Sequence, residues 1–348
     1  MEIALIIEKC DEKPLVENPN IHIITQKEKN RLKRAAELYR IVRKLVKKHG
    51  YKKIFVRISK YAAMISCLAG HGCGAEVYYW LSGASLDFYK EKPIIDRVKY
   101  LLKDHSVYKA VTSMVDFFVT GPEHMVEYYA MTGKVRRGKI RLLYNDIDTT
   151  RFSTIGEDEK KRLRDELGMR SDAVVILLVH RYSGVRKTAF YIPYVLEPFR
   201  GRNDIEVILI GDGPDRDMVR DAIHVSDLGF VRMLDSQPNA IIQKYYQACD
   251  IFINPSWTEG FPRVIIEAMA CGKPIVATDA GGTADLFGER QQPYVVEIQD
   301  REGFAEALYK MTESETIRKE CGNENRKRVN VYDTENVADM YIRTIWDL

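Results

Sequence analysis

The sequence lacks the features of membrane-spanning, secreted and metal-stabilised proteins. No stretch approaches the about 18 consecutive apolar residues that a membrane-spanning helix needs. The amino terminus is acidic and passes at once into a strand pattern, so it does not have the layout of a signal peptide. The six cysteines include no Cys-x-x-Cys pair and have no histidine at zinc-binding spacing. These absences predict a protein of the reducing cytoplasm with no metal site.

Length and charge distribution predict two domains of different character. A chain of 348 residues is long enough for two sizeable hydrophobic cores. Residues 1–150 hold 27 of the 53 Lys and Arg residues but only 17 of the 50 Asp and Glu residues. The front of the chain is therefore basic and the rest acidic, which indicates that one half faces an anionic partner.

Short apolar runs alternate with amphipathic helical stretches, which is typical of parallel sheets covered by helices. In the first half, strands are predicted at Ile3–Ile7, Ile21–Thr25, Ile54–Ile58, Glu76–Trp80, Phe117–Thr120 and Ile140–Tyr144, with helices at about Glu28–His49, Tyr61–Ala69 and Glu123–Met131. In the second half, strands are predicted at Ala173–Val179, Glu206–Gly211, Gly229–Val231, Ile251–Asn254, Pro274–Thr278 and Tyr294–Val296, with helices at about Lys187–Phe199, Arg216–Val225, Ile241–Ala248, Pro262–Cys271 and Phe304–Met311. The junction near Asp148–Lys160 is polar and rich in turn formers, so we place a linker there.

The stretch Asn254–Asp279 carries the strongest functional pattern. Glu259 and Glu267 stand with seven residues between them, and an apolar helical run that begins near Pro262 separates them. A helix N-terminus attracts a phosphate anion, and carboxylates beside it can accept hydrogen bonds from sugar hydroxyls. The pair suits a sugar attached to a nucleoside diphosphate. The alternative is a strand, loop and helix that carry two glutamates by chance.

The segment TEGFPRVIIEAMACGKPIVATDAGG resembles the Glu-x7-Glu signature of retaining glycosyltransferases of the GT-B fold, family four, which implies a prokaryotic member. This resemblance is specific over about residues 140–300. It implies an α/β protein with two Rossmann-like, doubly wound parallel-sheet domains that face across a cleft. Residues 1–150 would form an acceptor-side domain joined by a C-terminal helix at 331–348, and residues 151–330 would bind the nucleotide sugar.

The resemblance also assigns roles to individual residues. Glu259 would hold the hydroxyls of the sugar, and Glu267 would bind the ribose. Arg181 and Lys187 would grip the diphosphate, since fixed cations stabilise a departing phosphate; a basic loop after a strand can also be merely solvated, and Arg186 could replace either residue. Further substrate-binding positions implied by the family pattern are Gly260, Phe261, Pro262, Gly211, Gly213, Arg232, Gly281 and Gly282. The turn around Gly211 and Gly213 could equally be structural.

Three departures from the family pattern fall in the front half. The family often has a glycine loop after the first strand, whereas Glu8–Pro14 contains no glycine. The family also often has a histidine after the fourth strand of the first domain, where Tyr78–Gly83 stands instead. In the hinge segment Tyr144–Asp148, Asp146 replaces the usual glycine. The acceptor side is therefore expected to be unusual.

The segment 28–53 is strongly basic and has one apolar helical face. The simplest interpretation is a surface helix with a solvated basic face. The alternative is a face that binds an anionic membrane surface or a lipid-phosphate acceptor. RNA binding finds no support, because no RNA-reading motif is present, and we expect no nucleic-acid partner.

The resemblance implies a retaining hexosyltransferase that moves a hexose from a nucleotide-diphosphate sugar to an acceptor hydroxyl, for which a glycan or a lipid-linked molecule is a candidate. The family's usual mechanism is front-side attack, which needs neither a protein nucleophile nor a metal, so we expect no cofactor besides the donor. Double displacement is the competing mechanism, and the first domain offers no clear nucleophile for it. The expected location is the cytoplasm or the inner face of a membrane. The rival functions are a nucleotide-sugar epimerase on the same fold and a non-catalytic binding subunit.

Overall fold

The structure is a computed structural model that describes residues 2–8, 16–83, 94–95, 100, 104–184 and 188–346. The chain packs into two compact units. The first unit comprises Met1–Leu81, Tyr89–Thr120 and Tyr129–Arg141, and the second comprises Ser82–Phe88, Gly121–Tyr128 and Leu142–Leu348. The predicted domain limits at residues 150 and 330 stay predictions. The tail from residue 331 falls within the second unit.

The front of the chain contains six strands in two sheets. The strands are β1 (Ile3–Ile7), β2 (Ile21–Thr25), β3 (Lys53–Arg57), β4 (Glu76–Trp80), β5 (Phe117–Thr120) and β6 (Ile140–Leu142), and the helices are α1 (Arg31–His49), α2 (Lys60–Gly70), α3 (Ser106–Met114) and α4 (Glu123–Met131). Strands β1 and β2 form a parallel pair, and the other sheet has the order β3-β4-β5-β6. Among the described residues, strand order in this second sheet simply follows the chain.

The second unit is built on one six-stranded sheet. Its strands are β7 (Val174–Val179), β8 (Ile205–Ile210), β9 (Val231–Leu234), β10 (Ile251–Asn254), β11 (Ile275–Thr278) and β12 (Val295–Val296), in the order β12-β11-β10-β7-β8-β9. The helices are α5 (Glu157–Leu167), α6 (Thr188–Leu196), α7 (Arg216–Val225), α8 (Ile242–Ala248), α9 (Arg263–Ala270), α10 (Arg301–Glu313), α11 (Glu315–Arg328) and α12 (Thr334–Trp346). The order reverses between β7 and β10, and ligands of such sheets bind at the carboxyl ends of the strands beside that reversal.

Burial explains why the strands of the second unit could be predicted from the sequence. Strands β8, β10 and β11 are buried along their whole length, so each is mainly apolar, and the polar exceptions are Glu206, Asn254 and Thr278. The predicted strand at Gly229–Val231 lies further along, at Val231–Leu234. Helices α3, α5 and α11 were not predicted. In particular, α5 begins at Glu157, inside the segment that we placed as a linker.

A tertiary ion-pair network holds α5 in place. The carboxylate of Asp250, which directly precedes β10, accepts hydrogen bonds from Lys160 Nζ at 2.7 Å and Arg164 Nη2 at 2.5 Å, both on α5. It also accepts from the main-chain N–H of Val175 at 2.7 Å. Burial opposes ionisation of Asp250, but attraction to Lys160 and Arg164 outweighs it and lowers the pKa of the carboxyl. This contact explains how a polar helix can pack on the sheet.

We expect Asp250→Asn to lower the free energy of unfolding by about 3–5 kcal/mol at pH 7, because it leaves two basic groups without their buried partner. The stabilisation requires an ionised Asp250, whose pKa is depressed in the folded state. It should be fully present above about pH 4, near the pKa of an unfolded aspartate, and be lost as the pH falls through the folded pKa. Denaturant unfolding of both proteins from pH 7 down to about pH 3 measures the difference. Asp172→Asn, at an exposed pair with Arg170, is the control and should have little effect; an equal loss in both variants would contradict the network.

Candidate functional site

The two glutamates flank the amino end of α9. Glu259 lies in the loop between β10 and α9, and Glu267 lies within α9. Pro262, the predicted first residue of this helix, is the N-cap of α9, which begins one position later at Arg263, and no side chain caps this helix end. The first N–H groups of α9 therefore lack a side-chain acceptor, which leaves them available to an anion.

Glu267 is a largely buried carboxylate held by a tyrosine. The hydroxyl of Tyr246, on α8, donates a hydrogen bond of 2.8 Å to Glu267 Oε2. Burial raises the pKa of Glu267, while the Tyr246 hydrogen bond and the charges of Arg263 and Arg151 act in the opposite direction. Among the described residues no hydrogen bond to Glu267 Oε1 is found, so this oxygen can accept from a ligand hydroxyl.

The loop that carries Glu259 is packed against the glycine loop after β11. Glu259 is 4% exposed. Gly281 has φ +60°, and a Cβ atom there would lie 2.1 Å from the carbonyl oxygen of Glu259. Within the same unit, a Cβ at Gly260 would lie 2.6 Å from Ser82 Oγ, and one at Gly282 would lie 2.2 Å from Pro122 Cγ. The main chain around Glu259 is thus fixed by contacts that only glycine permits.

Phe261 anchors the same loop by aromatic packing. Its ring centroid lies 5.8 Å from that of Tyr144 and 5.4 Å from that of Tyr332. Asn145 Nδ2 donates a 3.4 Å hydrogen bond to the carbonyl oxygen of Phe261. Phe261 is 7% exposed, so its place here is structural. The hinge segment around Asn145 therefore supports the loop that carries Glu259.

Gly211 and Gly213 allow the loop after β8 to pack closely on the loop after β7. They follow β8 with φ +158° and +145°, and Cβ atoms there would lie 1.8 Å from the carbonyl oxygen of His180 and 2.0 Å from that of Tyr182. The loop after β8 thus lies directly on the loop after β7. This geometry favours the structural interpretation of this glycine pair.

A cleft of about 320 Å³ opens at the carboxyl ends of β7 and β8. Arg181 and Gly211 line it, and so does Val264 in the first turn of α9. The other lining residues, which sequence reasoning did not single out, are Val179, His180, Ile210, Asp212, Ser236, Gln237 and Ile242. Most of them directly end or follow a strand, and that position is the signal that could have found them.

Of the predicted site residues that the structure describes, Arg181 and Gly211 line this cleft, whereas Arg232 is engaged elsewhere. Arg232 Nη1 donates to the carbonyl oxygen of Gly168 at 2.9 Å, at the end of α5, and the guanidinium lies 3.4 Å from Glu206. Its side chain is thereby engaged in packing α5 rather than in lining the cleft. Lys187, together with Arg186, lies outside the described residues. Among the residues that the structure describes, no group of three His, Cys, Asp or Glu side chains could hold a metal ion, and no helix is long and apolar enough to cross a bilayer.

Comparison with known proteins shows a family match over the same part of the chain. Residues 159–328 match the family model of glycosyl transferases group 1. The matched segment lies wholly within the second unit and contains Glu259, Glu267 and Arg181.

The named relatives are glycosyltransferases of bacteria. The chain is 30% identical over 163 residues to the putative teichuronic acid biosynthesis glycosyltransferase TuaC of Bacillus subtilis. This match covers 47% of this chain and 39% of the relative. It is 28% identical over 222 residues to the N-acetylgalactosamine-N,N'-diacetylbacillosaminyl-diphospho-undecaprenol 4-alpha-N-acetylgalactosaminyltransferase of Campylobacter jejuni, covering 62% of this chain and 55% of the relative. The chain thus spans about half the length, or less, of these relatives.

A solved structure shows the fold over nearly the whole chain. Anabaena HepE in complex with UDP superimposes with a TM-score of 0.75 at 18% identity, covering 94% of this chain and 86% of that one. HepE has also been solved with UDP-glucose. The predicted GT-B fold, with Rossmann-like α/β domains, is confirmed.

We expect Gly281→Ala to lower the free energy of unfolding by about 1–3 kcal/mol, because a methyl group there meets the Glu259 carbonyl at a left-handed φ. Urea denaturation at pH 7 measures this. Gly229→Ala is the matched control, since that glycine has no atom within 4 Å of its Cβ position, and it should change the free energy by no more than about 0.5 kcal/mol. Equal effects in both variants would argue against close packing at Gly281.

Proposed function

We propose that this protein is a retaining glycosyltransferase that moves a hexose from a nucleotide-diphosphate sugar to an acceptor hydroxyl. The observation that carries the proposal is the grouping at one sheet edge of a helix N-terminus without a side-chain cap, two flanking glutamates and a cleft lined by Arg181. UDP and UDP-glucose bound to HepE support a uridine diphosphate donor. The named relatives are themselves glycosyltransferases, which supports the reaction class.

Each part of the donor, the ribose, the diphosphate and the sugar, contacts a different group of the site. Glu267 Oε1 accepts hydrogen bonds from the ribose hydroxyls, and Tyr246 holds the carboxylate in position for this. The diphosphate lies near the first turn of α9, where free N–H groups and the helix dipole favour negative charge. Glu259 accepts hydrogen bonds from the hydroxyls of the transferred sugar.

Transfer is favoured by stabilising the leaving diphosphate. As the glycosyl–oxygen bond breaks, its electron pair passes to the phosphate, and a cation held beside that oxygen stabilises the transition state more than the ground state. Arg181 supplies this charge at the cleft. Lys187 is a second predicted cation. In front-side attack, the departing phosphate takes the proton of the acceptor hydroxyl, so no protein nucleophile is needed.

We expect Glu267→Gln to weaken the binding of UDP by about 10- to 100-fold, because it removes a charged acceptor of ribose hydrogen bonds worth about 1.5–3 kcal/mol. Titration calorimetry with UDP and with UDP-glucose measures the Kd. Glu302→Gln, in the first turn of surface helix α10, is the charge-matched control and should leave both values unchanged.

The same preparation separates the proposed function from its rivals. Release of UDP from UDP-glucose together with a glycosylated product supports a transferase. Conversion of the sugar without any acceptor would identify an epimerase. Tight donor binding with neither reaction would identify a binding subunit. An unchanged UDP affinity in Glu267→Gln would remove the role assigned to that carboxylate.

We further propose that the acceptor side meets an anionic membrane surface through α1. Arg40, Lys44 and Lys47 are exposed at positions i, i+4 and i+7, which places them along one side of the helix. Each basic residue near an anionic bilayer contributes about 1 kcal/mol of attraction. The undecaprenol-linked acceptor in the name of the Campylobacter relative supports a membrane context.

Charge reversal at Arg40, Lys44 and Lys47 should abolish binding to vesicles that contain phosphatidylglycerol and leave UDP binding intact. Binding of the unaltered protein should fall steeply with salt, because the attraction is screened beyond about 8–10 Å. Sedimentation with anionic and neutral vesicles measures this. The control reverses Lys161, Arg162 and Lys327, three exposed residues of the second unit, and should bind like the unaltered protein. If both triple variants lost vesicle binding, the net charge of the protein would explain the binding, and α1 would have no special role.

A further inference from the structure

The carboxyl end of β3 holds an isoleucine in a conformation that isoleucine disfavours. Ile58 has φ +65°, in the left-handed region, where β-branched side chains are genuine outliers. The side chain is 65% exposed, so core packing does not explain the residue type. Backbone strain of this kind concentrates at functional sites, because the surrounding structure must be built to maintain it.

Three hydrogen bonds fix this strained turn. The N–H of Ile58 donates to the carbonyl oxygen of Trp80 at 2.8 Å, and the N–H of Ser59 donates to that of Arg57 at 2.7 Å, which closes a γ-turn around Ile58. The hydroxyl of Tyr79, a fully buried residue, donates to the carbonyl oxygen of Ile58 at 2.9 Å. The core of the first unit thus holds the isoleucine side chain outward.

Further exposed apolar residues and a cation lie in the first turns of α1 and α2, and α2 begins two residues after Ile58. Tyr61, in the first turn of α2, is 44% exposed, and the guanidinium carbon of Arg31 lies 4.6 Å from the centre of its ring. Leu32 follows Arg31 in the first turn of α1 and is 81% exposed. We call Arg31, Leu32, Ile58 and Tyr61 the β3-edge patch.

The charge of this patch comes from side chains. The first N–H groups of α1 are satisfied by Asn30, and Ser59 caps α2, so neither helix end is open to an anion. Lys60 is paired with Asp104 at 2.9 Å. Arg31 makes no ion pair among the described residues, and its guanidinium remains available to a phosphate.

We propose that the β3-edge patch binds the acceptor, and that the acceptor is an anionic amphiphile in which a phosphate joins a hydrocarbon chain to the group that carries the acceptor hydroxyl. Ile58, Leu32 and Tyr61 cover the chain near its head group, and Arg31 binds the phosphate. The inference rests on the proposed function, because it names the class of acceptor for the same transfer. The β3-edge patch lies at the carboxyl end of a parallel strand, and open α/β sheets bind ligands at the carboxyl ends of their strands.

The test uses dodecyl phosphate below its micelle concentration as the probe, with binding to the full chain measured by calorimetry. Ile58→Asn suits a left-handed turn better than isoleucine does, so the Tm should stay unchanged or rise while the Kd weakens about 5- to 10-fold. Leu32→Ser should weaken binding similarly, and Arg31→Gln should reduce its salt dependence. Val225→Ser, at an 84% exposed valine of the second unit, is the control and should leave the Kd unchanged.

Two further probes define the class of ligand. Dodecyl maltoside lacks the charge and inorganic phosphate lacks the chain, so neither should bind measurably at the same concentration. An unchanged Kd in Ile58→Asn and Leu32→Ser overturns the proposal. So does loss of binding to phosphatidylglycerol vesicles with unchanged binding of dodecyl phosphate, which would make the patch a bilayer contact. If UDP still binds through Glu267 in that case, only the acceptor assignment fails; if UDP does not bind at all, the proposed function fails first.

Discussion

The candidate site depends on one constraint: at the carboxyl edge of the six-stranded sheet of the second unit, main chain packs directly on main chain. Gly281 touches the carbonyl of Glu259, while Gly211 and Gly213 touch the loop after β7. A single methyl group at any of these positions would push two loops apart. Because Glu259 and the loop of Arg181 are held by backbone rather than by flexible side chains, their positions are set before any ligand arrives. Such preorganisation is what electrostatic stabilisation of a leaving group requires.

The sequence predicted what is local and missed what is tertiary. Strand β10, the glutamate-bearing loop and α9 follow from apolar runs and turn residues that lie side by side in the chain. Helix α5 was missed because it has few apolar residues, and its packing depends on Asp250, more than eighty positions away. Arg232 was predicted in the site because its neighbours resemble a nucleotide-binding strand. Its actual partners, Gly168 and Glu206, are brought to it only by the fold.

The first unit shows the same limit more sharply. Most strand limits there were predicted within a residue or two. However, nothing in the sequence next to Ile58 indicates a left-handed turn. That conformation depends on a hydroxyl from Tyr79 in the neighbouring strand and on the carbonyl of Trp80. A local pattern would favour glycine or asparagine at such a turn. An isoleucine there can be recognised as strained only after the tertiary hydrogen bonds are known.

The proposed function implies two modes of anion recognition. The segment after residue 150 carries a net negative charge, yet we propose that it binds a diphosphate. What acts on a bound phosphate is the local set of N–H groups and Arg181, because distant surface charges are screened within about 8–10 Å. The first unit instead presents long basic side chains from an exposed helix, whose attraction is long-ranged and easily screened. A fixed main-chain site discriminates by shape and geometry, whereas a flexible basic surface discriminates mainly by charge. Donor recognition should therefore be the more selective and less salt-sensitive of the two, and acceptor capture the more permissive.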